Sequence, residues 1–247
     1  MHIDKPTPGD IPGLRRIWQE AFGDSDAFLD GFFETGFHPE RCRCLRLGQH
    51  VAAALYWFDC RLGDKRLAYI YAVATEKASR GRGLCRSLTQ DTHRHLQSLG
   101  YHGWLLVPAN EKLFSMYEAM GYRPFCPMQW VEVEATEATS LRQLTAAEYE
   151  ERRAQLLPEN GIYQEGMDYL AGFSRFYAGE GNLLCVSEGE NGIWVQEYLG
   201  DREALGGTIA ALGAEKAQVH LPGGAPYAMF YGGGESLQDA YFGLSMG

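Results

Sequence analysis

Arg80-Gly81-Arg82-Gly83-Leu84-Cys85 sits between two segments of opposite character. Before it runs an apolar stretch, Leu67 to Thr75, of a length suited to a buried strand. After it, Leu84 to Leu99 carries apolar residues at helical spacing. The order is strand, glycine turn, helix. The first N–H groups of a helix have no partner within it, and here they point back at the turn. Two glycines let the backbone take positive φ and let a ligand come close. Bare N–H groups at the positive end of a helix dipole form an anion site. Lys77, Arg80, Arg82 and Arg86 surround the turn, with no acidic residue between Lys77 and Arg86. The stretch reads as a pyrophosphate cradle. On spacing alone, a tight connection with a solvated basic rim fits the same residues. It is not a mononucleotide P-loop, because no Lys-Ser or Lys-Thr pair follows Gly83. Nor is it a dinucleotide fingerprint, because the third glycine is missing and no acidic residue ends a following strand.

A wider window is more specific. Val73-Ala74-Thr75, four more residues, then Arg80 to Cys85 resembles the acetyl-CoA signature of the GNAT superfamily of N-acetyltransferases. That signature is Gln or Arg, any two residues, Gly, any residue, then Gly or Ala. Arg80 and Gly83 match, and Cys85 stands where the small Gly or Ala normally stands. Further on, Asn110-Glu111-Lys112-Leu113-Phe114-Ser115-Met116-Tyr117-Glu118-Ala119-Met120-Gly121-Tyr122 resembles the second motif of the family: Asn, a helix with Tyr near its end, then Gly-Tyr or Gly-Phe. The resemblance covers roughly residues 3–130.

The resemblance implies an α+β fold, a mixed, mostly antiparallel sheet flanked by helices. It implies that the strand after the cradle helix splays from the strand before it, so that Val73, Ala74 and Thr75 offer backbone groups to the pantetheine arm of acetyl-CoA. The pyrophosphate would then lie on Arg80, Gly81, Arg82, Gly83, Leu84 and Cys85, with Asn110 as a further contact. Tyr117 becomes the general acid for the departing thiolate, and the Val73 N–H an oxyanion donor. A thiol near ~8.5 and a phenol near ~10 exchange a proton without a steep cost. The bland alternatives are a core aromatic at Tyr117 and a plain N-cap at Asn110.

The base is harder to place. An alkyl amine near ~10.4 is almost all ammonium at neutral pH. Leu67 to Thr75 contains no carboxylate, and Tyr69 and Tyr71 take its outward positions. Glu34, His50 and Asp59 are candidates, alongside a water chain to bulk. Glu76 falls too close to the phosphate end.

Composition sets the remaining bounds. The 247 residues are 45% hydrophobic and 22% charged, an ordinary balance for a globular chain. No apolar run approaches the ~20 residues of a membrane span. Met1-His2-Ile3-Asp4 carries no signal-peptide pattern, and six scattered cysteines form no Cys-x-x-Cys pair, so the expectation is a cytoplasmic protein without a metal. Residues 1–130 hold 16 Lys/Arg and 14 Asp/Glu, a balance of +2, whereas residues 131–247 hold 6 and 18, a balance of −12. An acidic half argues against nucleic acid, and so against transfer from an aminoacyl-tRNA. It suits a cationic acceptor, or plain solubility.

Along the chain, Asp10 is placed to cap a helix carrying Ile11, Leu14, Ile17, Trp18 and Phe22. Phe28 to Phe33 follows, a wall of the acceptor site in the resembled family or simply core. Cys42–Leu47, Val51–Cys60 and Leu67–Thr75 read as three antiparallel strands with turns at Gly48-Gln49 and Gly63-Asp64. The cradle helix buries Leu84, Leu88, Leu96 and Leu99 and ends at Gly100; Trp104–Val107 is a strand. Phe125 and Met128–Val133 complete the sheet.

Residues 134–140 are small and polar and read as a linker, which divides the chain into a catalytic domain, 1–135, and a second domain, 136–247. The second part reads as a helix from Ala146 to Leu157, an amphipathic segment from Tyr169 to Tyr177, and strands at Leu183–Val186 and Ile193–Leu199 around Gly189-Glu190-Asn191-Gly192. A helix at Arg202–Leu212 and strands at Ala217–Leu221 and Tyr227–Tyr231 follow, with Gly223-Gly224 and Gly232–Gly234 as loops. This order repeats the first half, so the expectation is a degenerate second GNAT-like copy in which Gly200-Asp201-Arg202-Glu203 replaces the cradle. The function expected is transfer of an acetyl group from acetyl-CoA to a primary amine of a small cationic or peptide acceptor, by a monomer or an oligomer. The rival is a catalytically inactive acyl-CoA-binding sensor or partner-binding protein.

Overall fold

The computed structural model describes residues 1–189, 192–233 and 240–245. Glu190, Asn191 and Gly234, assigned above to turns, lie outside the described residues. By contacts the chain forms two compact units: Met1–Leu106 with Tyr231–Gly233, and Val107–Phe230 with Gly234–Gly247.

The first unit begins with β1 (His2–Asp4) and α1 (Ile11–Phe22), followed by α2 (Asp26–Gly31), which runs into a π-helical turn at Phe32–Gly36. Then come β2 (Cys42–Leu47), β3 (His50–Leu62), β4 (Lys65–Thr75), α3 (Leu84–Ser98) and β5 (Gly103–Leu106). The strands lie side by side in sequence order. Pairing is antiparallel from β1 to β4 and parallel between β4 and β5, with α3 as the crossover. The turns fall at Gly48 and Gly63, both at positive φ, as the sequence predicts.

Side-chain alternation on β3 sets the layers. Tyr56 meets Trp18 of α1 at 5.1 Å between ring centroids, while the next residue, Trp57, turns to His95 of α3 at 5.9 Å. One helix therefore covers each face. One expectation fails at the rim: Leu99 is 46% exposed, because it closes a helix at the edge of its packed face, as does the equally exposed Phe22. Asp10 does not cap α1 with its side chain. Its carboxylate accepts from Arg46 Nε at 2.8 Å and Nη2 at 2.6 Å, and from the Thr7 N–H at 2.7 Å. Arg46 holds it well below the usual carboxylate range.

The second unit contains α4 (Glu111–Glu118), β6 (Arg123–Glu134), β7 (Arg142–Leu144), α5 (Ala146–Leu156), β8 (Tyr163–Gln164), β9 (Arg175–Gly179), β10 (Asn182–Gly189), β11 (Gly192–Leu199), α6 (Leu205–Ala211) and β12 (Lys216–Gly232). Its sheet runs β6-β12-β11-β10-β9-β7, with β11 and β12 parallel around α6 and the other pairs antiparallel. Leu184, Val195, Leu205, Ile209 and Val219 form the core under α6. On the opposite face Tyr149 of α5 stacks on Phe176 at 4.5 Å.

The two compact units meet at Leu106/Val107, and β6 pairs with β12 along almost its whole length, from Lys216↔Glu134 to Phe230↔Arg123. The structure corrects the sequence reading at three places. Tyr169–Tyr177 is not one amphipathic element but a 3-10 turn and the start of β9, which finds partners on both sides in β7 and β10. Gly223-Gly224 is a bulge within one long β12, between Pro222↔Met128 and Pro226↔Pro127, not a loop between two strands. The polar linker is strapped to α6: Thr136 and Thr139 donate their N–H groups to Gly206 and Gly207 at 3.1 Å each.

That strap explains two helical glycines. A Cβ on Gly207 would lie 2.6 Å from the Thr139 methyl carbon and 2.8 Å from the Glu137 carbonyl oxygen. Gly207→Ala is therefore expected to destabilise the protein by ~1–3 kcal/mol despite the higher helix propensity of alanine, read as a lowered melting temperature.

Candidate functional site

The cradle stands where the sequence places it. Glu76 caps the end of β4, and its side chain gathers three donors: Arg16 Nη1 at 2.6 Å, His50 Nε2 at 2.7 Å and Ser79 Oγ at 3.0 Å. Its own N–H bonds the Ala52 carbonyl at 2.9 Å, and the Lys77 N–H goes to Glu20 at 2.8 Å. The turn entering the cradle is thus fixed from both sides. Sequence reasoning set Glu76 aside; its anchoring role depends on Arg16 and His50, which are distant along the chain.

Gly81 and Gly83 take φ of 74° and 73°, and a Cβ at either would meet nothing within 4 Å. Backbone conformation, not space, demands glycine here. Gly83 is the N-cap of α3 and supplies no side-chain acceptor. The first N–H inside the helix to find a carbonyl is that of Ser87, which bonds Gly83 at 3.0 Å. Leu84, Cys85 and Arg86 leave their N–H groups free of protein acceptors among the described residues. Arg80, Arg82 and Arg86 are exposed around them, and Arg80 Nε is steadied by the Thr75 carbonyl at 3.0 Å. Cys85 is half-buried, and burial raises its thiol pKa, so it serves as a small neutral side chain.

The strand edge beside the cradle is open as well. The β4–β5 ladder covers Leu67↔Gly103, Ala68↔Trp104 and Tyr69↔Leu105, then stops. From Ile70 to Thr75, β4 has no strand partner on that side among the described residues. On the other side, Tyr71 pairs with Tyr56 and Ala74 with Ala54, so two residues, Ala72 and Val73, oppose Leu55 alone. This bulge places Ala72 at φ 47°, a left-handed conformation costing ~1–2 kcal/mol for a residue with a Cβ. No sequence signal marks it, since Val73-Ala74-Thr75 continues an apolar run. Val73 and Thr75 are half-buried and Ala74 is buried.

The α1 side of β4 faces an aromatic cluster. Tyr71 lies 5.6 Å from Trp18, 6.2 Å from Phe32 and 5.7 Å from Phe58. Of the bases considered, His50 Nε2 is committed to the Glu76 carboxylate, while Asp59 is tied to Arg66 at 3.1 Å and to the Tyr101 hydroxyl. Glu34 is exposed on the π-helical turn.

Asn110 and Tyr117 belong to the second unit. Asn110 Oδ1 accepts the Leu113 N–H at 3.2 Å, so it caps α4. Tyr117 is buried, its ring 5.3 Å from that of Tyr122. A surface groove of about 450 Å³ in the same unit, walled by Arg142, Glu148 and Arg152, contains none of the assigned residues. Among the described residues, no group of three or more His, Cys, Asp or Glu is placed to hold a metal ion, and no helix is long and apolar enough to cross a membrane.

The acetyltransferase (GNAT) domain family model matches residues 2–125, half of the chain, and contains the cradle, the open edge and α4. The chain belongs to the GNAT acetyltransferase family. Its reaction class is therefore acyl-CoA-dependent N-acetyl transfer, with acetyl-CoA as co-substrate. Solved GNAT structures share the fold. The GCN5-related N-acetyltransferase of Kribbella flavida aligns at a TM-score of 0.71 and 16% identity, over 93% of this chain and 70% of that one. The enzyme of the same description from Anabaena variabilis gives 0.69 and 17%, over 93% and 72%. That from Sphaerobacter thermophilus gives 0.54 and 12%, over 99% and 98%. No curated protein matches the chain.

For this GNAT chain the bulge offers a direct check. Ala72→Val puts a β-branched residue at positive φ and is expected to lower the melting temperature by several degrees, whereas Ala72→Gly, which relieves the strain, is expected not to.

Proposed function

We propose that this GNAT enzyme transfers an acetyl group from acetyl-CoA to a primary amine of a small cationic or peptide acceptor, with the first unit gripping the donor. The observation that carries this reading is the pair of open backbone surfaces on either side of one turn. Among the described residues, the N–H groups of Leu84, Cys85 and Arg86 lack protein acceptors, and β4 lacks a strand partner on its β5 side from Ile70 to Thr75. The first suits a pyrophosphate, which Arg80, Arg82 and Arg86 would neutralise. The second suits the amides of a pantetheine arm, met by Val73, Ala74 and Thr75.

In the reaction the acceptor nitrogen attacks the thioester carbonyl carbon, the C–S bond breaks, and the amine gives up one proton while the thiolate takes one. The Val73 N–H, re-aimed by the bulge, steadies the developing oxyanion. Tyr117 gives the proton to the thiolate. With His50 hydrogen-bonded to Glu76 and Asp59 paired with Arg66, the amine's proton passes to solvent or to the exposed Glu34. The balance of −12 over residues 131–247 favours a cationic acceptor. Those residues also form a degenerate GNAT-like copy in this reading. Support comes from the repeated pattern of an antiparallel pair, a bulge, and a parallel pair around a helix: β3-β4-α3-β5, then β10-β11-α6-β12. The acids of Gly200-Asp201-Arg202-Glu203 leave it without a cradle.

Release of free thiol over a panel of amines tests the activity: steady CoA production is expected with at least one cationic amine and with none for a mere acyl-CoA binder. Gly83→Val, which forces a β-branched residue into φ of 73°, is expected to abolish acetyl-CoA binding in a calorimetric titration. Tyr117→Phe is expected to slow turnover by ~10²-fold or more while leaving that binding intact; full activity in this variant removes Tyr117 from the acid role.

A further inference from the structure

Beyond Val195 and Val219 the parallel strands of the second unit part, as β4 and β5 do beyond Tyr69 and Leu105. A one-residue bulge at Gln196, between Val186↔Val195 and Cys185↔Glu197, marks the departure. It turns Glu197 away from the α6 core that Val195 and Tyr198 join. The space between the parting strands has a tenant.

The tenant is the segment 240–245. On the β11 side, the Tyr241 hydroxyl donates to Glu197 Oε1 at 3.2 Å. On the β12 side, His220 Nδ1 meets the Gly243 carbonyl at 3.2 Å, and Tyr227 hydrogen-bonds Ser245. At β6, the Phe242 N–H reaches Cys126 Sγ at 3.0 Å. Ala240, Phe242 and Leu244 are at most 1% exposed. The anchor at Glu197 is unusual. This carboxylate is fully buried and receives Arg153 Nε at 2.6 Å, Arg153 Nη2 at 2.9 Å and the Tyr149 hydroxyl at 2.7 Å. Tyr241 supplies its fourth donor, so that each oxygen accepts two. A buried carboxylate is tolerated only with such a full complement.

Among the described residues the backbone pairing of the segment is an isolated bridge outside the named strands, Gly161↔Tyr241. The contacts to β6, β11 and β12 named above are made through side chains. It can leave without breaking a ladder, as a ligand does and a strand does not.

We propose that the parting of β11 and β12 forms a peptide-binding cleft, and that its resident ligand is this chain's own segment 240–245. The chemistry it selects is an extended run of two aromatics, a glycine, an aliphatic residue and a serine. The tyrosine serves the buried carboxylate, and the glycine carbonyl faces the histidine. The glycine is required by contact, because a Cβ on Gly243 would fall 1.9 Å from the Tyr241 hydroxyl oxygen. This inference goes beyond the catalytic reading and does not draw on it.

Two cysteines of the second unit report on the cleft in the intact 247-residue chain. Cys126 lies against Phe242, and Cys185 is fully buried on β10. Alkylation by iodoacetamide under native conditions, read by mass spectrometry, gives the opening at each. Tyr241→Phe removes one donor from a charged acceptor, and Gly243→Ala displaces the tyrosine ring. Each is expected to speed alkylation of Cys126 ~10-fold or more and leave Cys185 unchanged. In the unsubstituted chain, Cys126 alkylation is expected to rise less steeply with urea than that of Cys185, because a smaller surface opens. Equal acceleration at both cysteines, or the same urea dependence, would mean that the segment is ordinary core and would overturn the proposal. No change at Cys126 in either variant would overturn it as well.

Discussion

Buried backbone N–H and C=O groups must find partners, and two parallel strands that part leave a row of them unmet. Both units of this protein are built around that constraint. In the first, β4 and β5 share three residue pairs and then separate, with a bulge on β4 and a helix N-terminus at its far end. The polar groups released at the gap and those released at the turn lie on one continuous run of chain, from Ile70 to Arg86. A long ligand with amides at one end and phosphates at the other is complementary to such a run. The anchoring of Glu76 by Arg16, His50 and Ser79 keeps the two surfaces in fixed relation, because it pins the short link between them.

The second unit meets the same constraint differently. Its parallel strands also separate after three pairs, but the segment 240–245 bonds to both of them and meets a buried Arg153–Glu197 pair. Removing either charge would leave the other stranded in a dry interior, so the pair fixes the arrangement more than it adds stability. In the reading proposed above, one topology thus supports an open, phosphate-seeking cleft and a closed, self-filled one. The difference lies in whether glycines or acids follow the strand.

Much of the first unit was legible because its signals are local. Strand, glycine turn and helix appear in order, and Gly48, Gly63, Gly81, Gly83 and Gly100 all adopt the positive φ that their places in the pattern call for. What escaped is non-local. The bulge at Ala72 arises from a mismatch with Leu55 on another strand, and alanine does not advertise a left-handed conformation. The tie to α6 escaped because a soft, polar composition at 134–140 looks like a free linker, whereas its threonines are bonded to glycines about 70 residues on. In the second unit, β9 was obscured by aromatics whose spacing suits a helix as well as a strand.

The assignment of Tyr231–Gly233 to the first unit has a consequence for biosynthesis. Tyr231 stacks on Trp104 at 5.1 Å with ring planes 11° apart, and against His93 at 4.4 Å. Trp104 leaves the ribosome long before Tyr231 does, by ~10 s at ordinary elongation rates. Throughout that interval the nascent first unit lacks one layer of its aromatic stack. Vectorial folding from the N-terminus therefore cannot finish the first unit with residues 1–106 alone, because its last piece is made more than a hundred residues later.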